Sequence, residues 1–357
     1  MDALEIFAGS KAIEQIKNQG FHPSLFRYFL GASGGPKWFT LAGLDRVIFP
    51  EWFQQSGHKV DVIGSSAGAF RAICAVQKDP LAAINRLAQA YSTTEYSRHP
   101  TPREITQKAE ELVKYMVDTK GLLEVLENRR FKAHIIAARC EGKDKHRGKL
   151  SQMSGLAMSA TANAIGRKHL GKFYTRCIFS SPNSSLTFSD PYQIPTERFK
   201  LGINNIHSSL LASGAIPIVL EGIEDIVAAP DGMYRDGGII DYHFDLKFGQ
   251  GDDLVLYPHF YNKAIPGWFD KGLKKRYPHK SSFDNVVMLV PSPDFVASLP
   301  FEKIPDRKDF EKMEAATRIR YWCRVLEETD RLGECFMNWA ASGQIVDKIQ
   351  PLPFNMK

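Results

Sequence analysis

Residues 60–68 read Val60-Asp61-Val62-Ile63-Gly64-Ser65-Ser66-Ala67-Gly68, an apolar run that passes directly into a glycine-flanked serine. The β-branched run is typical of a buried strand, and residues 69–76 continue as an apolar helix. The preceding segment has the same order: a strand over residues 26–30, the turn Gly31-Ala32-Ser33-Gly34-Gly35-Pro36-Lys37, and a helix over residues 38–49. Two successive strand–turn–helix units favour a parallel sheet covered by helices, which is an α/β fold.

Beyond these two units the chain carries further helical and strand patterns. Apolar spacing predicts helices over residues 4–18 and 203–213, and mostly helical structure over residues 81–128. A polar, basic loop is predicted at residues 141–149. Short apolar or β-branched runs predict further strands at residues 131–140, 177–179, 186–188, 254–257 and 286–290.

The 357 residues contain no evident linker, internal repeat or low-complexity segment, and 43% of them are hydrophobic. This composition is typical of a globular protein with one large domain. We therefore expect a single domain over residues 1–357, with the glycine-rich turns in a core at about residues 26–245. An amphipathic pattern at about residues 307–341 predicts a C-terminal helical segment that packs on this core.

Charge and cysteine content argue against several classes of function. The net charge of +6 is a mild excess, which would favour an anionic membrane surface but is not typical of nucleic-acid binding. The five cysteines are scattered and odd in number, so neither a disulfide framework nor a zinc site is expected. The sequence shows neither a signal-peptide pattern nor an apolar run long enough to span a bilayer, so we expect a cytoplasmic protein.

Gly64-Ser65-Ser66-Ala67-Gly68 has the pattern G-x-S-x-G at the junction of a strand and a helix. A serine in such a tight turn adopts a strained backbone conformation, and side chains two residues away on either side would clash with the crossing backbone. The turn places the Ser66 hydroxyl at the N-terminus of the next helix, where a developing negative charge is stabilised. We therefore expect Ser66 to be a nucleophile, supported by Gly64 and Gly68.

The earlier turn at residues 34–37 can present backbone N–H groups in a concave arc. Because Pro36 has no N–H, the candidate oxyanion donors are Gly34, Gly35 and Lys37. A nucleotide-binding phosphate loop would require a second glycine and a metal-binding hydroxyl, where this chain has Pro36 and a tryptophan. A purely structural glycine turn is a further alternative. No cofactor is expected from these motifs.

Asp236-Gly237-Gly238 is the candidate for a general base. The glycines after Asp236 would allow another backbone to approach, as a hydrogen bond between serine and aspartate requires. Burial would raise the pKa of this carboxyl from about 3.9 and make it a better base. Residues 231–238 do not fit a calcium-binding EF-hand loop, because the third and fifth positions are methionine and arginine. A plain Asp-Gly turn is the alternative reading, and no metal site is expected.

The oxyanion turn, the serine turn and the Asp-Gly-Gly motif, in this order, resemble the three motifs of the patatin-like phospholipases. Ala212-Ser213-Gly214-Ala215-Ile216-Pro217 also resembles the turn that precedes the aspartate of that family. The resemblance covers about residues 26–245. It implies a three-layer α/β/α sandwich with a mostly parallel central sheet.

The resemblance also implies an activity and the roles of single residues. Ser66 would be the nucleophile and Asp236 the base of a two-residue dyad, with Gly237 and Gly238 as supporting glycines. The implied reaction is hydrolysis of acyl esters in lipids, without a metal. The first turn of this chain has fewer glycines than is usual in the family, and Tyr242-His243 replaces the Asn-Pro often found after the aspartate.

Two alternatives remain open at this level. A Ser-His-Asp triad on an α/β-hydrolase fold is the alternative mechanism, because His243, His259 and His279 all follow Asp236 in the chain. A non-catalytic lipid-binding relative is the alternative function, since the turn around Pro36 departs from the family pattern.

Residues 266–277, Pro266-Gly267-Trp268-Phe269-Asp270-Lys271-Gly272-Leu273-Lys274-Lys275-Arg276-Tyr277, interleave aromatic and basic side chains. This pattern is found in loops at membrane interfaces, so peripheral membrane contact is a hypothesis for this segment. A basic surface loop around a core tryptophan is the alternative. The expected partner is a lipid or ester substrate, with no nucleic acid, and the sequence predicts no oligomeric state.

Overall fold

The structure is a computed structural model that describes residues 2–142 and 148–357. Most of the loop predicted at residues 141–149 lies outside the described residues. The strands are β1 Leu4–Ala8, β2 Phe26–Gly31, β3 Val60–Ser65, β4 Phe131–Cys140, β5 Tyr174–Ser180, β6 Phe188–Ser189, β7 Thr196–Lys200, β8 Ile223–Glu224, β9 Met233–Asp236, β10 Lys247–Phe248, β11 Leu254–Pro258, β12 Val286–Pro291 and β13 Ile349–Pro351. The α-helices are α1 Ser10–Gln19, α2 Ala42–Val47, α3 Ala67–Ala75, α4 Pro80–Ser92, α5 Pro102–Met116, α6 Thr119–Glu127, α7 Lys149–Ile165, α8 Ile206–Gly214, α9 Lys280–Phe283, α10 Pro293–Ser298, α11 Asp309–Lys312, α12 Ala315–Glu328, α13 Asp330–Ser342 and α14 Ile345–Lys348.

A central sheet with strand order β13-β1-β12-β11-β2-β3-β4-β5-β7 organises the molecule. Strands β12, β11, β2, β3 and β4 run parallel to one another. Strand β1 joins one side antiparallel to β12, and β5 and β9 both pair antiparallel with β4. Helices flank this mostly parallel sheet, so the protein is an α/β/α sandwich, as the sequence predicts.

Most of the predicted strands are confirmed, and β4 has the predicted bounds. The helix predicted over residues 4–18 is wrong in its first half, where the chain forms β1. Leu4 and Ile6 are fully buried there, because β1 lies between β12 and β13 in the sheet. A strand with both faces covered has no alternating pattern, so its apolar run resembles a helix in sequence.

The turn after β2 leads into a 3₁₀ helix, Gly35–Leu41, before the short α2. This segment belongs to the larger helical layer, in which α2, α3, α4, α5, α8, α12 and α13 contact one another. Helices α12 and α13 contact this layer at Gly43 of α2, whose amide donates to the hydroxyl of Thr329 over 3.0 Å. A Cβ atom on Gly43 would overlap the Thr329 carbonyl, so glycine permits this close approach.

Across residues 2–142 and 148–357, none of the helices has both the length and the apolar character that crossing a membrane requires.

Candidate active site

The site lies where two strands meet end to end beside β4. Ser65, the last residue of β3, pairs with Ile136, and Asp236, the last residue of β9, pairs with the adjacent Ala137. Strand β3 runs parallel to β4 whereas β9 runs antiparallel to it, so the two carboxyl ends face each other. The serine turn and the Asp-Gly-Gly turn therefore emerge at one point of the sheet.

Ser66 has the backbone strain expected of a nucleophile in a tight turn. Its φ of 55° and ψ of −127° lie outside the regions that non-glycine residues normally adopt. A Cβ atom on Gly64 would overlap the Gly68 carbonyl, and one on Gly68 would overlap the carbonyl of Gly31. Both flanking glycines are therefore required by close backbone packing, and Gly31 at the end of β2 is part of the same contact.

Ser66 and Asp236 are joined directly by a hydrogen bond. The Ser66 hydroxyl donates to Oδ2 of Asp236 over 2.9 Å, and the Gly238 amide donates to Oδ1 over 2.7 Å. A Cβ atom on Gly238 would lie 2.6 Å from the hydroxyl oxygen of Ser33, and one on Gly237 would overlap a β4 carbonyl. The two glycines after the aspartate thus allow this turn to pack closely against β4 and against the first glycine turn at Ser33.

Burial changes the acidity of this carboxyl. It raises the pKa of Asp236 to about 6, although the Gly238 amide, the Ser66 hydroxyl and the positive charges of Lys271 and Arg307 act in the opposite direction. A carboxylate with this pKa is still ionised at neutral pH and is a better proton acceptor than a carboxylate in water.

The end of α8 holds both members of the pair in place. The Ser66 amide donates to the Ser213 hydroxyl over 2.9 Å, and that hydroxyl donates to the Ile136 carbonyl over 2.6 Å. Two residues further on, the Ala215 carbonyl accepts from the Asp236 amide over 3.1 Å. The sequence indicates Ser213 only as part of a motif, because its two hydrogen-bond partners, the Ser66 amide and the Ile136 carbonyl, lie far from it in the chain.

The glycine turn before α2 supplies free backbone donors. Among residues 2–142 and 148–357, neither the Gly34 amide nor the Gly35 amide has a hydrogen-bond acceptor. Gly35 has a φ of +55°, a conformation that favours glycine. A Cβ atom on Gly34 would lie 2.7 Å from the ring of Phe260. Both glycines are thus needed for the shape of the turn, and their amides are available to stabilise an oxyanion.

Lys37 does not have the predicted role of a free amide donor. Its amide donates to the Gly34 carbonyl over 3.4 Å, which closes the first turn of the 3₁₀ helix. Its ammonium group forms an ion pair with Asp306. Burial alone would raise the pKa of Asp306, but the Lys308 amide and Lys37 lower it overall. The side chain of Lys37 therefore connects the oxyanion turn to the segment before α11.

Ser66 and Asp236 open into a cavity of about 410 Å³. Its wall includes apolar, aromatic and basic side chains. The lining comprises Ser33, Gly34, Gly35, Lys37, Ser66, Ile216, Pro217, Asp236, Gly238, Ile239, Tyr242, Tyr261, Lys263, Ile265, Trp268, Lys271, Asp306, Arg307 and Lys308.

None of the three histidines considered for a triad lines this cavity. Burial lowers the pKa values of His243 and His259, the latter to about 3, and the Nδ1 atoms of both accept backbone amides. His279 contacts Asp245 instead, with Nδ1 2.9 Å from the carboxylate. No histidine contact to Asp236 is found among the described residues, so the geometry favours the dyad over the triad.

A serine, a histidine and an aspartate are hydrogen-bonded in a row elsewhere in the sheet. His134 on β4 contacts the Ser180 hydroxyl and the Asp61 carboxylate, each over 2.9 Å. His134 and Ser180 are paired residues of neighbouring strands, and burial lowers the pKa of His134. Ser180 lacks the positive φ of Ser66, so we interpret this arrangement as a structural polar contact between strands.

Over the described ranges, no group of three or more histidine, cysteine, aspartate or glutamate side chains is placed to hold a metal ion. Comparison with known proteins found no matching family model, curated protein or solved structure. The resemblance to patatin-like phospholipases therefore depends on the motifs and on the geometry they adopt, and the family assignment stays a prediction.

Proposed function

We propose that this protein is a serine hydrolase that cleaves acyl esters of lipids, of the patatin-like type, with Ser66 as nucleophile and Asp236 as base. The observation that carries the proposal is the 2.9 Å hydrogen bond from a strained serine turn to a buried carboxylate. A structural serine gains nothing from a positive φ, which costs roughly 1–3 kcal/mol at a non-glycine residue.

The proposed reaction has two steps. Ser66 Oγ attacks the ester carbonyl while its proton passes to Asp236, and the Gly34 and Gly35 amides stabilise the oxyanion. The tetrahedral intermediate collapses to an acyl-enzyme, and the departing alcohol takes the proton back from Asp236. Water then attacks the acyl-enzyme with Asp236 again as base, which releases the carboxylic acid and restores the serine.

The cavity supports a lipid substrate rather than a small polar ester. Ile216, Pro217, Ile239 and Ile265 form the apolar part of its wall beside the dyad. An acyl chain placed on this wall would bury apolar surface, which favours binding by about 25 cal/mol per Å². A purely polar ester would leave the same wall without a partner.

Hydrolysis of a panel of phospholipids, galactolipids and short-chain esters by wild type, Ser66→Ala and Asp236→Asn tests this proposal. We expect both variants to lose at least about a thousandfold in kcat, as removal of a nucleophile or base does in other serine hydrolases. Ser154→Ala and Asp231→Asn, at exposed positions, are matched controls that should retain activity. Lipid binding without turnover by folded wild type would instead support the non-catalytic alternative.

We further propose peripheral membrane contact, with α7 as the contacting element. Residues 150–165 contain no charged side chain, yet α7 exposes Leu150, Met153, Met158 and Ile165 along one side. Surface helices normally carry charges on the exposed face. Exposed lysines flank the helix at Lys149, Lys168 and Lys172. Exposed apolar side chains beside basic residues favour contact with an anionic lipid surface.

Helix α7 also adjoins the cavity. Its Asn163 donates to Asp270 over 2.7 Å, within the segment that supplies Trp268 and Lys271 to the lining. The loop predicted for membrane contact at residues 266–277 is thus partly interior, because Asp270 is buried and bound by Arg167. Contact of α7 with a membrane would bring the cavity close to the lipid surface.

Sedimentation with vesicles of phosphatidylcholine, with and without phosphatidylglycerol, tests this contact. Leu150→Glu/Ile165→Glu should reduce the bound fraction several-fold, whereas Leu123→Glu, at an exposed leucine on α6, should not. If Leu150→Glu/Ile165→Glu bound vesicles as well as Leu123→Glu does, the proposed role of α7 would be contradicted.

A further inference from the structure

Two buried serine hydroxyls continue the contact between β2 and β3 beyond the last paired residues of these strands. The pairing ends with Gly31 opposite Gly64. Further along the chain, the Ser33 hydroxyl lies 3.0 Å from the Ser65 hydroxyl and 3.2 Å from the Ser65 carbonyl oxygen. Ser33 is 2% exposed and Ser65 is fully buried. The contact therefore lies in the interior, where a low dielectric strengthens a hydrogen bond.

Each of these serines directly precedes a group that the proposed reaction uses. Ser33 precedes Gly34, whose amide has no acceptor among residues 2–142 and 148–357. Ser65 precedes Ser66, the proposed nucleophile. The contact between the two serines thus connects the oxyanion turn to the serine turn, one residue away from the reacting groups on each side.

Ser33 also contacts the turn that carries the aspartate. Its amide donates to the Tyr242 carbonyl over 3.0 Å. A Cβ atom on Gly238 would lie 2.6 Å from the Ser33 hydroxyl oxygen and 3.0 Å from the Ser33 Cβ atom. Gly238 is in turn the residue whose amide donates to Asp236. Ser33 therefore contacts both of the turns that supply the dyad, while its own backbone continues into the oxyanion turn.

The two ends of the oxyanion turn are anchored to different parts of the chain. Gly34 and Gly35 have no side chains, so the residues on either side must hold the turn. Lys37 forms an ion pair with Asp306, in the segment before α11. Ser33 binds the serine turn instead. Of these two anchors, Ser33 is the one that controls the distance from the free amides to the nucleophile.

We propose that Ser33 is a positioning residue, whose hydroxyl holds the Gly34 and Gly35 amides at the distance from Ser66 that a tetrahedral intermediate requires. The inference rests on the proposed function, because this distance matters only if Ser66 attacks a carbonyl. Oxyanion donors are effective when they lie about 2.7–3.1 Å from the position of the oxyanion. Loss of the Ser33 hydroxyl would release the turn from the serine turn and move the donors out of this range.

Hydrolysis of p-nitrophenyl hexanoate by Ser33→Ala tests this role. We expect kcat to fall about tenfold to hundredfold, because a misplacement on the order of 1 Å can cost about a hundredfold. KM should change little, since the apolar wall stays in place. Ser65→Ala should lose less, about threefold to tenfold, because the Ser33 hydroxyl keeps the Ser65 carbonyl as acceptor. The double variant should lose no more than Ser33→Ala alone, since both substitutions remove the same contact.

A trifluoromethyl ketone with a hexyl chain reports on the oxyanion without turnover. Ser66 Oγ adds reversibly to the ketone carbon while its proton passes to Asp236, and the ketone oxygen becomes the oxyanion. The inhibition constant of Ser33→Ala should rise by the factor by which kcat/KM falls. Partial unfolding would lower kcat as well, but it would leave the inhibition constant of the folded molecules unchanged.

Ser292→Ala is the matched control. Its buried hydroxyl donates to the Asp2 carbonyl over 2.7 Å and accepts the Phe295 amide over 3.1 Å, away from the cavity lining. Both serine variants should lower the urea midpoint of unfolding, but only Ser33→Ala should lower kcat.

The outcomes separate the positioning role from the proposed function. An active wild type whose kcat and inhibition constant change by less than about twofold in Ser33→Ala would overturn the role of Ser33 alone. A wild type that neither hydrolyses the ester nor binds the ketone would overturn the hydrolase, and the role of Ser33 with it.

Discussion

Ser66 and Asp236 are 170 residues apart in the chain, yet the serine hydroxyl donates to the carboxylate over 2.9 Å. The contact follows from the sheet: β3 and β9 end on consecutive residues of β4, with their carboxyl ends facing each other. Each partner is then fixed by α8, through the Ser213 hydroxyl and the Ala215 carbonyl. The dyad is therefore positioned by backbone pairing rather than by side chains alone.

The pH dependence of activity should report the ionisation of Asp236. The base must be ionised to accept the serine proton, and its pKa is raised to about 6 by burial. We expect kcat/KM for an uncharged ester to rise with pH and to reach half of its plateau near pH 6.

A charge substitution tests that assignment. Lys271 lowers the pKa of Asp236, so Lys271→Gln should move the midpoint of the pH profile to higher pH. Lys274→Gln, which lies off the cavity lining, is the control and should leave the midpoint in place. A profile that is flat between pH 5 and 8 in wild type would be inconsistent with Asp236 as the base.

Asp236→Asn should stabilise the fold at high pH. The folded-state pKa of Asp236 is raised from 3.8 to about 6, so the unfolded chain ionises this carboxyl more readily. The fold favours the protonated carboxyl. The stability that this preference contributes is fully present below pH 3.8, falls as the pH rises, and is lost above about pH 6. A rise of this size corresponds to about 3 kcal/mol.

The free energy of unfolding of wild type and Asp236→Asn, measured in urea at low and high pH, checks this sign. The variant should be the more stable protein at pH 8 and gain nothing at pH 3.5. If wild type were more stable than Asp236→Asn at pH 8, burial of the ionised Asp236 carboxylate would not destabilise the fold.

Gly68→Ala should destabilise the protein through a backbone clash. A Cβ atom at this position would overlap the Gly31 carbonyl, and the surrounding strands β2 and β3 cannot separate without losing their pairing. We expect a loss of at least about 3 kcal/mol in the free energy of unfolding. Gly57→Ala, where a Cβ atom would meet nothing within 4 Å, should change it by less than about 0.5 kcal/mol.

Gly35→Ala should affect catalysis more than stability. Its Cβ atom would have ordinary contact with Tyr91, but the φ of +55° is strained for alanine by about 1 kcal/mol. The turn would relax and displace the free amides, so kcat should fall about 10–1000-fold with a smaller change in KM. Gly202→Ala, at an open position, serves as the control, and an unchanged kcat in Gly35→Ala would remove this turn from the oxyanion site.

The elements that could be predicted from sequence are those with local signals. Strands β2 and β3 are apolar runs that end in glycine turns. The strained backbone of Ser66 is predicted by the glycines two residues before and after it. The glycines after Asp236 make it a candidate base in the sequence, but its position beside Ser66 depends on the long-range pairing of Asp236 with Ala137 and has no local signal.

Other parts of the site had no local signal. Arg307 and Lys308 line the cavity beside Asp306, whose ion pair with Lys37 joins positions 269 residues apart in the chain. The sequence predicts the Lys37 amide as a donor, but the bond of that amide to the Gly34 carbonyl depends on the 3₁₀ conformation of the turn, which has no signal in the sequence. The sequence pattern does not indicate strand β1, because burial on both faces removes the alternation of apolar and polar residues.

Covalent labelling with a fluorophosphonate, followed by peptide mass mapping of the folded protein, tests the central claim most directly. The proposed dyad predicts a single phosphonylated serine at Ser66, with no label in Ser66→Ala and slower labelling in Asp236→Asn at pH 8. Label at another serine such as Ser180, or equal labelling rates in wild type and Asp236→Asn, would contradict Ser66 and Asp236 as the catalytic pair.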